Sequence, residues 1–384
     1  MDLKIFFDSL LESDFADIKD RQSLFHHISI FTEKLPNWRE ADLAIIGIKE
    51  ARGNIANKGA ENAADEIRKK LFRLIKGTGN QKIVDLGNLR NGQSLEDTYL
   101  RLKEVCEALL DHSVVPIIIG GTHDVDYGQY LAFEHANDLI SVLNIDAKPD
   151  LEPEVNENFR CHGQKIILHE PNFLFNYAHL GYQTYFSDAD TINTIEKLSF
   201  DHFRLGIVQE KLHEMEPLIR DADMLSFDIS AIKMSDAPGN AHAEAFGLTG
   251  QEACQLSWYA GMSYKMASAG FYEYNPELDF RNQTASVVAT MVWYFIEGYY
   301  HRESPESFES EQYYRYVVSL SQDPHELIFF KNKRNEKWWM EVPYPITKTK
   351  YSKSSVVPCS YQDYLTATTG EIPDRWLQIH TKLI

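Results

Sequence analysis

The chain is expected to fold as an α/β protein, a three-layer α/β/α sandwich built on a mostly parallel, doubly wound sheet. Three observations predict this. Short runs rich in Ile, Val and Leu recur from residue 41 to about residue 275 without polar alternation, as in strands buried on both faces. Segments with helical spacing of apolar residues separate these runs, as crossovers between parallel strands require. Several runs end in Gly, His or Asp, and open α/β sheets keep their chemistry outside the carboxyl ends of the strands.

Taken in order, residues 1–40 read as a helical N-terminal extension. ADLAIIGI (41–48) is a strand, and AADEIRKKLFRLI (63–75) a helix with acid–base pairs along it. QKIVDLG (81–87) is the next strand. SLEDTYLRLKEVCEALLDH (94–112) is a helix whose opening Ser94, with Asp97 three residues on, is close to a capping box. VVPIIIGG (114–121) predicts a strand and YGQYLAFEHAN (127–137) a helix. LISVLNIDA (139–147), QKIILHE (164–170), FRLGIVQ (203–209), ADMLSFDIS (222–230) and KMASAGFYEYNP (265–276) read as further strands, with helices over 209–220, 249–263 and 282–300. Residues 41–302 make one domain. From 303 to 384 the chain turns rich in Tyr, Ser, Lys and Trp and reads as an appendage packed on that domain, with IFFKNKRNEKWWMEVPYP (328–345) as a hairpin. Trp338 and Trp339 are expected to add packing to the core; covering the cleft or an oligomer interface is the alternative.

The 57 acidic and 38 basic residues of the 384-residue chain leave a net charge of -19. Such a surface repels polyanions, which argues against nucleic acid and anionic membrane as partners. Cys106, Cys161, Cys254 and Cys359 form neither a CxxC pair nor a regular framework, as expected of reduced thiols in the cytoplasm. The acidic opening MDLKIFFDSLLESDF lacks a small-residue cleavage site, and no apolar run is long enough to span a membrane.

Three strand ends carry unusual polar groups: IIIGGTHD with His123, NIDAKPD with Asp146 and Asp150, and SFDIS with Asp228. Each alone is an ordinary turn or capping residue. Gathered in one cleft, the three carboxylates would repel each other without a cation, and one imidazole with three carboxylates suits a hard or borderline divalent ion such as Mn²⁺.

In order and spacing these segments resemble the ureohydrolase superfamily of arginase, agmatinase and formimidoylglutamase, with its GGDH-like turn, DAHxD strand end and SxDxDxxDPxxxPG segment. IGIKEARGNIANKGAENAADEIRKKL (46–71), CHGQ (161–164), AFGLTGQE (245–252) and EYNPELD (273–279) extend the resemblance over roughly residues 40 to 300. It implies an arginase-like fold, a homo-oligomer, a small cationic amidine or guanidine as substrate, and Mn²⁺ as cofactor. Position by position it implies His123, Asp146, Asp150 and Asp228 as ligands of one ion, His162 as an active-site histidine able to shuttle protons, and Glu273 as a substrate contact.

Two positions depart from the pattern. Where the resemblance places the private ligands of a second ion, this chain has Lys148 and Ser230, and the expected Asp-Pro further on is Lys233-Met234. The substitutions are consistent with one ion, with the Lys148 ammonium reaching into the cleft where the second ion was and able to assist catalysis. The alternative is a metal-free site in which Lys148 pairs with Asp146 and Asp150. Two functional readings follow: a hydrolase of linear amidine or guanidine C–N bonds with a reduced metal site, and a non-catalytic relative with a binding, scaffold or regulatory role.

Overall fold

The strands expected from the sequence line up in one continuous sheet. The computed structural model describes residues 2–136, 138–152, 157–304, 307–321, 323–343 and 356–383. Its main sheet contains β1 (Phe7–Asp8), β2 (Ser29–Ile30), β3 (Leu43–Ile48), β4 (Ile83–Leu89), β5 (Val115–Ile119), β6 (Ile140–Ile145), β7 (Leu174–Tyr182), β8 (His202–Arg204), β9 (Met224–Asp228) and β10 (Ser268–Tyr272). They lie in the order β1-β4-β3-β5-β10-β9-β6-β7-β8, with β2 also pairing with β4. Only β1 runs antiparallel to its neighbour; the other pairings are parallel.

Alternate residues of the strands serve opposite cores, which makes the three layers. Leu43, Ile45, Ile117, Ile119, Leu143 and Ile145 pack with the helices Ala63–Leu71, Gly250–Met262 and Gln283–Tyr300. Ala44, Ile46, Ile48 and Ile118 pack against the helix Leu95–Leu110 on the other face. That helix opens with the capping box anticipated at Ser94 and Asp97. Helix Ala63–Leu71 is tied to β4 by a fully buried ion pair, Arg68 Nε to Asp85 Oδ2 at 2.8 Å and Nη2 to Oδ1 at 3.0 Å.

Four local expectations need correction. Residues 2–40 contain short 3₁₀ turns rather than α-helices, and they donate β1 and β2 to β4, whose backbone would otherwise lack partners on that side. QKIILHE is not a strand: His162–Ile167 is helical, a short apolar run whose periodicity does not discriminate. In FRLGIVQ only the first residues pair as β8, and Leu205–Glu210 is a helix with Leu205 and Val208 turned inward at helical spacing. The strand β7 has no counterpart among the predicted elements, because Asn176 and His179 interrupt its apolar pattern. Both are buried with polar partners, Asp201 at 2.7 Å and Asn144 at 3.1 Å.

The C-terminal residues form a second sheet, β11 (Tyr313–Ser319), β12 (Glu326–Asn332), β13 (Trp338–Glu341) and β14 (Val356–Cys359), antiparallel and in chain order. β12 and β13 are the anticipated hairpin; residues 344–345 of that expectation lie outside the described residues. Trp338 and Trp339 are both buried and enter different apolar clusters. This sheet and its two helices meet the main domain at the amino ends of β6, β7 and β9, through Leu139, Phe175, Arg220 to the Trp338 carbonyl (3.0 Å), and Lys382 to Asn176 (2.8 Å). The two tryptophans therefore sit at the opposite end of the sheet from the carboxyl-end cleft and do not cover it. No described helix is long and apolar enough to cross a membrane.

Candidate metal centre

Four adjacent strands, β5, β10, β9 and β6, deliver the polar groups from their carboxyl ends. After β5 the chain turns through Gly120 and Gly121 at φ of 84° and 77°. A side chain at Gly121 would stand 2.5 Å from Ile48 Cγ2, so the turn needs glycine for space as well as for conformation. It places His123 at the start of a 3₁₀ turn over the cleft. Asp146 follows β6 directly, Asp228 ends β9, and Glu273 follows β10. Asp150 and Glu273 hold left-handed backbone, with φ of 49° and 68°, a conformation that L residues keep only where the surroundings enforce it.

The four anticipated ligands come together. His123 Nδ1 lies 3.2 Å from Asp146 Oδ2, 3.3 Å from Asp228 Oδ2 and 3.8 Å from Asp150 Oδ2. His123, Asp146, Asp150 and His162 present donor atoms within 4.8 Å of one another, and all four are buried. His123 Nδ1 and Asp146 Oδ2 are buried without a hydrogen-bond partner. Two orphaned donor atoms facing each other among further carboxylates call for a cation, and an imidazole with carboxylates is a suitable donor set for a divalent ion.

Electrostatics agree. Burial pulls the His123 imidazole down, but the carboxylates of Asp146 and Asp228 beside it reverse the effect and hold its pKa well above the ordinary value. Burial also opposes a charge on His162; Asp126 and Asp150 outweigh it and raise the ring to about 9. The Asp150 carboxyl is pushed well up by burial and by the charge of Asp146. Without a metal the cluster keeps protons as its compensating charge.

His162 belongs to the site: its Nε2 is 3.3 Å from Asp150 Oδ2 and its Nδ1 is 2.8 Å from Asp126 Oδ1. Asp126 and Ser226 are site residues that sequence reasoning missed. Ser226 Oγ lies 2.8 Å from His123 Nε2 and donates to Asp126 Oδ2 at 2.8 Å. The only sequence signal was the spacing of Asp126, one helical turn after His123.

Glu273 is buried behind the turn and spends both oxygens on the protein. Oε1 accepts from the His123 backbone N–H at 2.9 Å, and Oε2 accepts from the side chains of Asn54 (3.0 Å) and Asn57 (2.6 Å). Burial raises its carboxyl to about 8. It braces the His123 turn, where a substrate contact was expected.

Lys148 departs from both expectations. Its backbone N–H donates to Asp146 Oδ1 at 3.0 Å, but its ammonium makes no ion pair with Asp146, Asp150 or Asp228 and lies 5.1 Å from the centre of the Phe186 ring. A half-buried ammonium over an aromatic face keeps hydration that it would lose in the cleft. Ser230, by contrast, is within the cluster. Its hydroxyl donates to Asp146 Oδ1 at 3.1 Å and its backbone N–H to Asp228 Oδ1 at 2.5 Å.

The model of the Arginase family matches residues 41–297, a span that contains every residue of this centre. The chain belongs to the arginase family. Among curated arginase-family relatives, a formimidoylglutamase of Streptococcus pyogenes serotype M5 is 26% identical over 279 residues, covering 66% of this chain and 84% of that protein. Among solved structures, the formimidoylglutamase of Bacillus subtilis aligns with a TM-score of 0.67 and 20% identity, covering 76% of this chain and 97% of the other. A Trypanosoma cruzi formiminoglutamase crystallised with Mn²⁺ aligns with a TM-score of 0.62 and 23% identity, covering 70% and 100%. These structures establish the arginase-like fold of residues placed around the centre.

Proposed function

We propose that the chain hydrolyses a C–N bond of a small linear amidine or guanidine, in the manner of a formimidoylglutamase or agmatinase, with one divalent ion, Mn²⁺, in place of two. The curated relative and the family match support the reaction class. The ion would be held by His123, Asp146, Asp150 and Asp228. It would supply Lewis acidity that makes water a nucleophile near neutral pH.

One observation carries the single-ion reading. The carboxylates of Asp146 and Asp228 divide their oxygens. Both Oδ2 atoms face His123 Nδ1, while both Oδ1 atoms accept hydrogen bonds from Lys148 or Ser230. Two of these bonds come from backbone N–H groups; the third, from the Ser230 hydroxyl to Asp146 Oδ1, is made by a side chain that stands where the family pattern has a metal ligand, and it is this bond that supports the single-ion reading.

The remaining residues fit the chemistry. His162 holds a proton at Nε2 beside Asp150 and is suited to hand it to the departing amine. Glu273 fixes the His123 turn. Because the Lys148 ammonium stays over Phe186, it does not set a positive charge among the carboxylates against a cationic substrate.

The test is a panel of linear amidines and guanidines, including formimidoylglutamate and agmatine, assayed with and without Mn²⁺ for formamide, urea and ammonia. Mn²⁺-dependent turnover, lost in Asp228→Ala and kept in the exposed control Glu12→Gln, is expected. Turnover indifferent to Asp228→Ala, or none on any amidine, contradicts the proposal.

A further inference from the structure

Asp126 is fully buried with both its oxygens engaged, and its Oδ2 lies 3.8 Å from His123 Nε2, on the side of the ring away from the three aspartates. His162 Nδ1 pins Oδ1 at 2.8 Å, and the Ser226 hydroxyl donates to Oδ2 at 2.8 Å. The direction of the second bond has a consequence. A serine hydroxyl has one proton, and here it points to Asp126. The oxygen can then only accept from His123 Nε2, 2.8 Å away, so that nitrogen carries a hydrogen and the lone pair of the neutral ring is on Nδ1. Nδ1 is the atom that faces Asp146, Asp150 and Asp228.

Building on the metal reading above, we infer that Asp126 is a positioning residue: through Ser226 it fixes which nitrogen of His123 faces the ion. An amide cannot substitute for it on this path. The Oδ1 position of Asn can still accept from His162, but an NH₂ group facing Ser226 would donate, turn the hydroxyl toward His123 and favour the wrong tautomer.

The experiment is Mn²⁺ affinity by equilibrium dialysis, without substrate, for wild type, Asp126→Asn, Ser226→Ala and the double variant, with melting temperatures as the fold control. Asp126→Asn should weaken binding about 10–100-fold, the range of lost outer partners of a metal-bound histidine. Ser226→Ala, the smaller change, should also weaken it, and the double variant should bind no more weakly than Asp126→Asn alone, since one path is cut twice. Unchanged affinity in folded Asp126→Asn or in Ser226→Ala, or losses that add in the double variant, overturns this inference alone. A wild type that binds no Mn²⁺ overturns the metal reading and this inference with it.

Discussion

The Ser230 hydroxyl donates a hydrogen bond to Asp146 Oδ1 at 3.1 Å, on the face of the carboxylate turned away from His123. A residue at the position of a second-ion ligand thus serves as a partner of a first-ion ligand. The proposal of a single cation rests on this bond.

Removing a retained ligand should remove the ion. Asp228→Ala leaves His123 Nδ1 and Asp146 with one carboxylate fewer and also frees the Ser230 N–H. Mn²⁺ binding is expected to fall by more than about 100-fold, as for loss of a direct ligand rather than an outer partner. Dialysis against Mn²⁺ checks this; retained affinity would place the ion elsewhere.

The metal-free and metal-bound chains should respond oppositely to pH. Burial works against a charge on His162, but nearby carboxylates raise it from 6.5 to about 9. A raised value stabilises the fold fully below 6.5 and the contribution is lost as pH rises through about 9. Glu273, raised by burial from 4.5 to about 8, acts with the same sign over its own window. The metal-free chain should therefore lose melting temperature between pH 6.5 and about 9. Mn²⁺ must displace the proton that His123 holds, so its affinity should rise with pH. Calorimetry with and without Mn²⁺ across that window measures both; a metal-free chain that gains stability toward pH 9 would contradict the charge assignment.

The glycine turn should be intolerant. Gly121→Ala places a methyl group 2.5 Å from Ile48 Cγ2 at a φ of 77°. A loss of about 1–3 kcal/mol is expected in denaturant unfolding. The variant should also bind Mn²⁺ more weakly, because the same turn carries His123. A variant as stable as wild type would mean that the turn relaxes freely.

The Arg68–Asp85 pair supports the fold far from the chemistry. Both side chains are fully buried, and Arg68 also donates to Asn88 (2.6 Å) and to the Gly87 carbonyl (2.9 Å). Arg68→Met strands Asp85 as a buried charge and should cost about 3–5 kcal/mol in chemical denaturation. A change below the error of that measurement would show that Asp85 is neutralised without its partner.

Much of this was readable before folding. Strands β3, β5, β6, β9 and β10 announce themselves because each is an apolar run closed by polar groups, and those that follow β5, β6 and β9 include His123, Asp146, Asp150 and Asp228. Asp126 and Ser226 were not legible. One reads as an ordinary acidic residue in the first turn of a helix and the other as a small residue inside a strand; only the sheet order, which sets β9 one strand beyond β5 across β10, brings Ser226 to His123. The direction of Lys148 was equally hidden. Its position after β6 pointed to the cleft, but the turn through Asp150 and the nearby Phe186 ring decide where the ammonium goes.

The most direct measurement is metal per chain by elemental analysis, after purification in Mn²⁺ and desalting, for wild type and for Lys148→His/Ser230→Asp. The account expects about one ion in wild type and about two in the double variant, which removes the Ser230 hydroxyl from Asp146 Oδ1 and supplies an imidazole and a carboxylate as further ligands. No ion in wild type, or two already present, would contradict it.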